Sequence, residues 1–383
     1  MSEPSEPILK LVTQAKSLDL KKAMAWVTAT TGKTGLRQAM EIGRFALGKK
    51  KLSPQEYYHL GLWRPHLSAD EKAAFLSASK SMALNRRLSP INATSLHGLM
   101  RSKILTGLIL RAAGFPTMKP LATFGGGVVV PGAAVLRTAA DIADWLRQDG
   151  LLPVFGKPVN AALSIGAASY IELTPDRTSV VLGNGKIVAL AKITAEIAEH
   201  FATGYLFEPL IRQHPALEAI AGKAVGGLRV VTLRGPDGPE VLYTVQRLPG
   251  PGAMMDALTA SPYSVALVDP ATGRIVRAQS MFAMNVAPLE ASLVTGVRFE
   301  TVTLPFVSEA MAVSVEAHRL FATSGVLGFD IALTTTGVVI NEVNSLPYHS
   351  AYQHSADRGL MNAEFRPRIE AAIRVAEAKT GKR

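Results

Sequence analysis

The chain has 383 residues, 48% hydrophobic and 19% charged, which is enough for two or three subdomains with a sizeable core and excludes a disordered protein. It contains no cysteine, which removes disulfides, thiol catalysis and Cys-ligated zinc together. The formal charge of +11 is concentrated between Lys16 and Lys51, where nine basic residues face only Asp19 and Glu41.

That stretch holds "LRQAMEIGRFALGKKK", which sets Leu36, Met40 and Ala46 against Arg37, Glu41 and Arg44. The pattern predicts an amphipathic helix whose lysines lie where a helix C-terminus favours cations. A solvated basic face is the first reading, and a weak membrane-surface or acidic-partner contact the second; nucleic-acid binding is not expected. "MSEPSEPILKLV" does not read as a secretory signal, and no run of about 18 apolar residues occurs, so a cytoplasmic protein is expected. Residues 1–95 read as mostly helical, with Ser-led helix starts in "LSPQEYYHL" and "LSADEKAAFLSASKSMAL". "SKILTGLILRAAGFP" follows, placing Ile104, Leu105, Leu108, Ile109 and Ala112 on one helical face before Gly114 and Pro116.

From Leu151 the period shortens. "LLPVFGKP", "ASYIEL", "TSVVL" and "KIVALA" predict an antiparallel meander, and "ITAEIAEHF" a helix. "GYLFEPLI", "GLRVVTL", "EVLYTVQRL" and "SVALVDPATGRIVRA" predict a second antiparallel set, and "AEFRPRIEAAIRVAEA" a terminal helix. The resulting divisions are 1–95, 96–206, 207–365 and 366–383, with no repeat or low-complexity linker between them.

The segment "GFDIALTTTGVVINEVNSLPYH" carries the most chemistry. A three-residue loop, Thr335 to Gly337, would set Thr334 opposite Val338 and Ala332 opposite Ile340. Asp330 would then lie opposite Glu342, with β carbons about 4.5 to 5.5 Å apart, where like charges repel. Asn344 points the same way. A divalent cation would relieve that repulsion, and two carboxylates with an amide oxygen are the hard donors that Mg²⁺ accepts. Glu-x-Asn alone is equally the polar end of a strand, and a two-residue loop would turn Glu342 to the other face.

Lys157 ends a strand in "FGKP" beside a small-residue loop from Asn160 to Ala168, a way to hold and cover phosphates. Glu208 in "YLFEPLI" could accept from an adenine amino group or stand in solvent. Arg229 in "GLRVVTL" is either one half of an ion pair or a group facing a transferred phosphoryl.

In their order, "GKP", "FEPLI", "LRVVTL", "GFDIAL" and "NEVNSLP" resemble the ATP-grasp superfamily, and within it the sugar-transfer-associated ATP-grasp proteins, over roughly residues 95 to 365. The resemblance implies an α+β ATP-grasp fold in which two antiparallel-sheet subdomains clasp ATP behind an N-terminal helical region. It implies that Lys103 and Lys157 contact nucleotide, that Ser164 and Gly166 belong to the phosphate loop, and that Glu208 with the backbone at Leu210 forms the adenine hinge. Arg229 and Lys157 become the catalytic cations, and Asp330, Glu342 and Asn344 the ligands of Mg²⁺, or of Mn²⁺ in its place. The implied activity is an ATP-dependent ligase that makes an acylphosphate for attack by an amine or other nucleophile, in the biosynthesis of a cell-surface polysaccharide or peptide-like metabolite. An ATP-grasp kinase acting on a hydroxyl and a non-catalytic nucleotide-binding module are the alternatives. His214 is placed as a helix cap or a ribose contact, and Tyr348, which stands where such ligases often carry a glycine, joins His349 and His354 as candidate substrate contacts or packing residues.

Overall fold

The computed structural model describes residues 7–9, 18–48, 51–91, 93–127, 129–160, 165–254, 263–281 and 288–380. The chain opens with helices α1 (Leu20–Thr31), α2 (Gly35–Leu47), α3 (Pro54–His59), α4 (Ala69–Ala74), α5 (Ala78–Leu88), α6 (Ala93–Arg101) and α7 (Lys103–Ala112). Ser53 and Ser68 start α3 and α4 in capping boxes closed by Glu56 and Glu71, as the sequence predicts.

Two helices turn a different face inward from the expected one. In α7 the departure is partial: Ile104 is buried and Leu108 and Ile109 pack against the cores as expected, but Leu105 is exposed and Thr106 and Leu110 are buried instead. In α2 the reversal is complete: Gln38 is buried and Ile42 and Phe45 pack against the helical core, whereas Leu36, Met40 and Leu47 are 72%, 61% and 93% exposed. Polar pins cause it. The Gln38 amide donates to the carbonyls of Met24 and Lys33 and accepts from the Tyr58 hydroxyl, and Glu41 accepts from Lys33 and from the Tyr57 hydroxyl. A buried amide with its hydrogen bonds satisfied is tolerated inside, and these bonds outweigh the apolar pattern.

The first sheet is formed by β1 (Ala122–Phe124), β2 (Ala134–Leu136), β3 (Val154–Pro158), β4 (Ala168–Leu173), β5 (Ser179–Leu182), β6 (Ile187–Ala189) and β7 (Tyr205–Pro209), in the order β2-β1-β7-β3-β4-β5-β6. The expected meander is β3 to β6. The strand "YLFEP", expected with the second set, is instead β7, inserted antiparallel between β1 and β3, so a division at 206/207 runs through it. Helices α8 (Ala139–Leu146) and α9 (Leu190–His200) bury Trp145, Ile193 and Ile197 against Tyr170 and Phe207 of this sheet.

The second sheet is antiparallel throughout and consists of β8 (Leu228–Gly235), β9 (Gly238–Leu248), β10 (Ser264–Val268), β11 (Ile275–Ser280), β12 (Val326–Thr334) and β13 (Gly337–Asn344), ordered β11-β10-β9-β8-β12-β13. Both of its faces are covered. Phe329, Ile331 and Leu333 share a core with Leu217 of α10 (Pro215–Ala221) and with Val307 and Ala310 of α11 (Val307–Arg319). Val231, Leu233 and Val245, on the opposite face, pack with Tyr352 of α12 (Ser350–Ser355) and with Phe365 and Ile369 of α13 (Phe365–Ala378).

The β12–β13 hairpin departs from expectation twice, and the departures cancel. Thr334 pairs with Gly337 across a two-residue turn, and Ala332 pairs with Val339, so the predicted pairings near the turn are wrong by one residue. A bulge at Asn341, between the pairs Ile331 with Ile340 and Asp330 with Glu342, then inserts one residue and restores the parity. Asp330 therefore does oppose Glu342, but a bulge and not the loop brings it there.

Candidate functional site

A cleft of about 550 Å³ opens between the two sheets, within the range of small-molecule and cofactor sites. From the second sheet it is lined by a row that strand pairing dictates. Asp330 lies between Arg229 on β8 and Glu342 on β13; Arg229 pairs with Val245 on β9, so Arg247, two residues on, shares its face. Asn344 follows Glu342 by two and lines the same cleft.

Asp330 is buried and held by three groups. Arg229 donates from Nε to Oδ1 and from Nη2 to Oδ2 at 3.0 Å, Arg247 Nη2 lies 3.1 Å from Oδ2, and the Asn344 amide donates to Oδ2 at 3.4 Å. Burial opposes the charge on this carboxyl, but the two guanidiniums outweigh it and keep its pKa below the ordinary aspartate value. Arg229 and Arg247 thus already relieve the expected repulsion between Asp330 and Glu342. Glu342 has its own partner, Lys103 Nζ at 3.6 Å.

The first-sheet side supplies Lys157 and Glu208. Glu208 pairs with Phe155, which places it diagonal to Lys157, and Lys157 Nζ lies 2.7 Å from Glu208 Oε2 with both side chains buried. Lys157 Nζ also donates across the cleft to Asn341 Oδ1 at 3.2 Å, so the bulge residue itself enters the site. Lys103, at the start of α7 behind its cap Ser102, has a pKa lowered by burial, with Glu342 partly restoring the charged form.

The predicted residues fall into groups. Arg229, Lys157, Lys103, Glu208, Leu210, Asp330, Glu342 and Asn344 all line the cleft. Gly166 does not: Ile165 and Ala167 line it, while a side chain at Gly166, with φ of +71°, would meet the Phe201 ring at 2.3 Å, and its carbonyl accepts from Tyr205. Ser164 lies outside the described residues. His214 caps α10, accepting from the Ala216 amide. Tyr348 lines the cleft half exposed, whereas His349 and His354 are buried away from it. Among the described residues no three His, Cys, Asp or Glu side chains gather as a metal cluster; the candidate set is two acids and an amide.

Sequence reasoning missed Arg247, Asn341 and the tie between the helical region and the loop after β13. Arg247 was legible from the pairing of β8 with β9. The tie was not. His97 Nδ1 and Ser345 Oγ are 2.8 Å apart, and Asn85 donates to the Pro347 carbonyl at 2.9 Å. With its amide nitrogen so engaged, Asn85 Oδ1 accepts from His349 Nε2, which leaves His349 Nδ1 to accept from the Tyr243 hydroxyl at 2.8 Å. Burial pushes His349 down to about 3, so it stays neutral.

The class of protein to which these two sheets and their shared cleft belong is ATP-grasp. The chain belongs to one family of that class: the sugar-transfer associated ATP-grasp model matches residues 89–366. No curated protein matches it. Solved structures with a similar chain path include the D-alanine-D-alanine ligase from Coxiella burnetii, at 15% identity and TM-score 0.39, covering 74% of this chain and 60% of that one. The VanG D-Ala:D-Ser ligase from Enterococcus faecalis is similar at 17% identity and TM-score 0.43, covering 73% and 62%. An N5-carboxyaminoimidazole synthase from Aspergillus clavatus, solved with ADP, is similar at 14% and 0.39, covering 73% and 52%. This chain therefore spans less than two thirds of the length of each of these three.

Proposed function

We propose that the cleft binds Mg-ATP and that the protein is an ATP-dependent ligase, activating a carboxylate as an acylphosphate for attack by an amine or another nucleophile. The carrying observation is the convergence of Lys103, Lys157, Arg229 and Arg247 on one cleft with Glu208, Asp330 and Glu342, an excess of cations suited to a polyphosphate. In the reaction a carboxylate oxygen attacks the γ-phosphorus and ADP leaves; the nucleophile then attacks the acyl carbon, phosphate leaves and the nucleophile gives up its proton. No covalent protein nucleophile is needed, which accords with a chain lacking cysteine.

Lys103 and Lys157 neutralise the phosphates, and Lys157 remains oriented by Glu208. Phe155, Ile165 and Leu210 supply the apolar walls for the base, with Glu208 and the backbone at Leu210 at its edge. Arg229, gripped at two nitrogens by Asp330, is fixed to meet charge developing on the transferred phosphoryl, with Arg247 beside it. Glu342 and Asn344 present hard oxygens into the cleft and fit Mg²⁺ or Mn²⁺. Asp330 fits less well, because its two oxygens already accept from guanidiniums, so it serves first as the anchor of the arginines. Bound at Glu342, the metal would neutralise phosphate charge and align the γ-phosphoryl.

The family's sugar-transfer association supports a carboxylate on a polysaccharide or peptide-like precursor, handled in the ATP-rich cytoplasm. Among the described residues no helix is long and apolar enough to cross a membrane. The test is Mg²⁺-dependent ADP release across a panel of carboxylates and amines, beside Glu342→Gln. Release that requires both substrates supports the ligase. A stable phosphorylated product formed with no nucleophile makes it a kinase, ATP binding without ADP formation makes it a binding module, and unchanged turnover by the variant removes Glu342 from the metal site.

A further inference from the structure

We propose that α2 is a docking surface for a lipid bilayer carrying anionic headgroups. On its solvent side Leu36, Met40, Gly43 and Leu47 recur at i, i+4, i+7 and i+11, a single stripe along the helix. Ala39 and Ala46, both exposed, widen it on one flank; Arg37 and Arg44, also exposed, border the other. At Gly43 even an added side-chain carbon would meet no atom within 4 Å, so nothing among the described residues covers the middle of the stripe. The one acid of the helix, Glu41, is withdrawn into its contacts with Lys33, Lys72 and Tyr57.

The stripe is preformed. Gln38 fixes the opposite side of α2 through Met24, Lys33 and Tyr58, so docking orders little that is not ordered already. Charge selects the occupant. A second copy facing the first across a twofold axis would bring Arg37 and Arg44 against their own kind, whereas anionic headgroups complement them. The sequence continues from Leu47 into Lys49, Lys50 and Lys51, adding positive charge beyond the most exposed leucine. Apolar residues in line, arginines at their border and no acid among them are the features of a helix that lies in a bilayer interface, its apolar side in the acyl boundary and its cations at the phosphates. The stripe follows the convex surface of a helix, which suits a fluid surface better than the recess of a protein partner.

The test is sedimentation of the full chain with sucrose-loaded vesicles of phosphatidylcholine alone and of phosphatidylcholine with about a third phosphatidylglycerol, at low and high salt. The chain should bind the anionic vesicles, less so as salt rises, and pure phosphatidylcholine poorly. A triple variant, Leu36→Ser with Met40→Ser and Leu47→Ser, and a double variant, Arg37→Gln with Arg44→Gln, should each weaken binding on the order of tenfold. These side chains are exposed, so thermal unfolding and ADP release should match the parent chain. The proposal is overturned if the parent chain stays in the supernatant while anionic vesicles sediment, if the serine variant binds as the parent does, or if the stripe instead sustains a dimer that those serines dissolve. Because ATP turnover is read separately, failure here leaves the cleft's assignment untouched.

Discussion

The two walls of the cleft manage charge in opposite ways. The second-sheet wall is self-contained along β8, β9 and β12: Asp330 and its two arginines answer each other within one sheet, in positions that strand pairing dictates. The first-sheet wall and α7 are only partly so, since Lys157 reaches over to Asn341 and Lys103 finds its acid in Glu342. A wall that neutralises itself acts as a fixed template. A wall whose cations lean outward can exchange those partners for phosphate oxygens. Substitutions in the first kind should therefore register in stability, and in the second kind in nucleotide affinity.

Acid should have the largest effect, and it should strike the second-sheet side. Burial depresses His318, His349 and His354 to about 3, against an ordinary 6.5. Between those values the unfolded chain binds more protons than the folded one, so stability falls as pH drops below about 6.5. Each histidine contributes up to about 1.4 kcal/mol per pH unit. Urea midpoints measured from pH 7.5 down to 5 should show the decline, and His349→Gln should flatten it. Asp330→Asn is next: it strands two buried guanidiniums beside a neutral amide and should cost about 3 kcal/mol in urea unfolding. Glu342→Gln should lower Mg²⁺-dependent turnover on the order of 100-fold or more, with an unfolding midpoint near the parent's because Glu342 is partly solvated. Lys103→Met should cost under about 1 kcal/mol of stability, since burial already disfavours its charge, while raising the KM for ATP about tenfold. If Lys103→Met proved as destabilising as Asp330→Asn, the contrast between the walls would fail.

Legibility followed the range of the interactions. The second-sheet row was readable because alternation along β8, β12 and β13 is local and only one parity buries Phe329 and Ile331. Its details were not: the sequence suggested a loop ending at Gly337, whereas the strand begins there and the extra residue sits at Asn341. The placement of β7 was unreadable for a different reason. "YLFEP" is strand-like in any sheet, and its neighbours β1 and β3 lie far away in sequence. In α2 the apolar pattern pointed outward because a buried glutamine and a half-buried glutamate, partnered by neighbouring residues, took the inner face. Such partners come from α1 and α3, and periodicity within one helix says nothing of them.

The compensated hairpin also limits how this gene segment can change length. With the two-residue turn kept, removing Asn341 alone would close the bulge and leave Glu342 opposite Asp330, whereas removing a tip residue as well would set Glu342 opposite Ile331 and turn it into the core. The acidic row survives one loss, at the tip or at position 341, but not both. Relatives that have lost both residues should carry no acid at the position of Glu342.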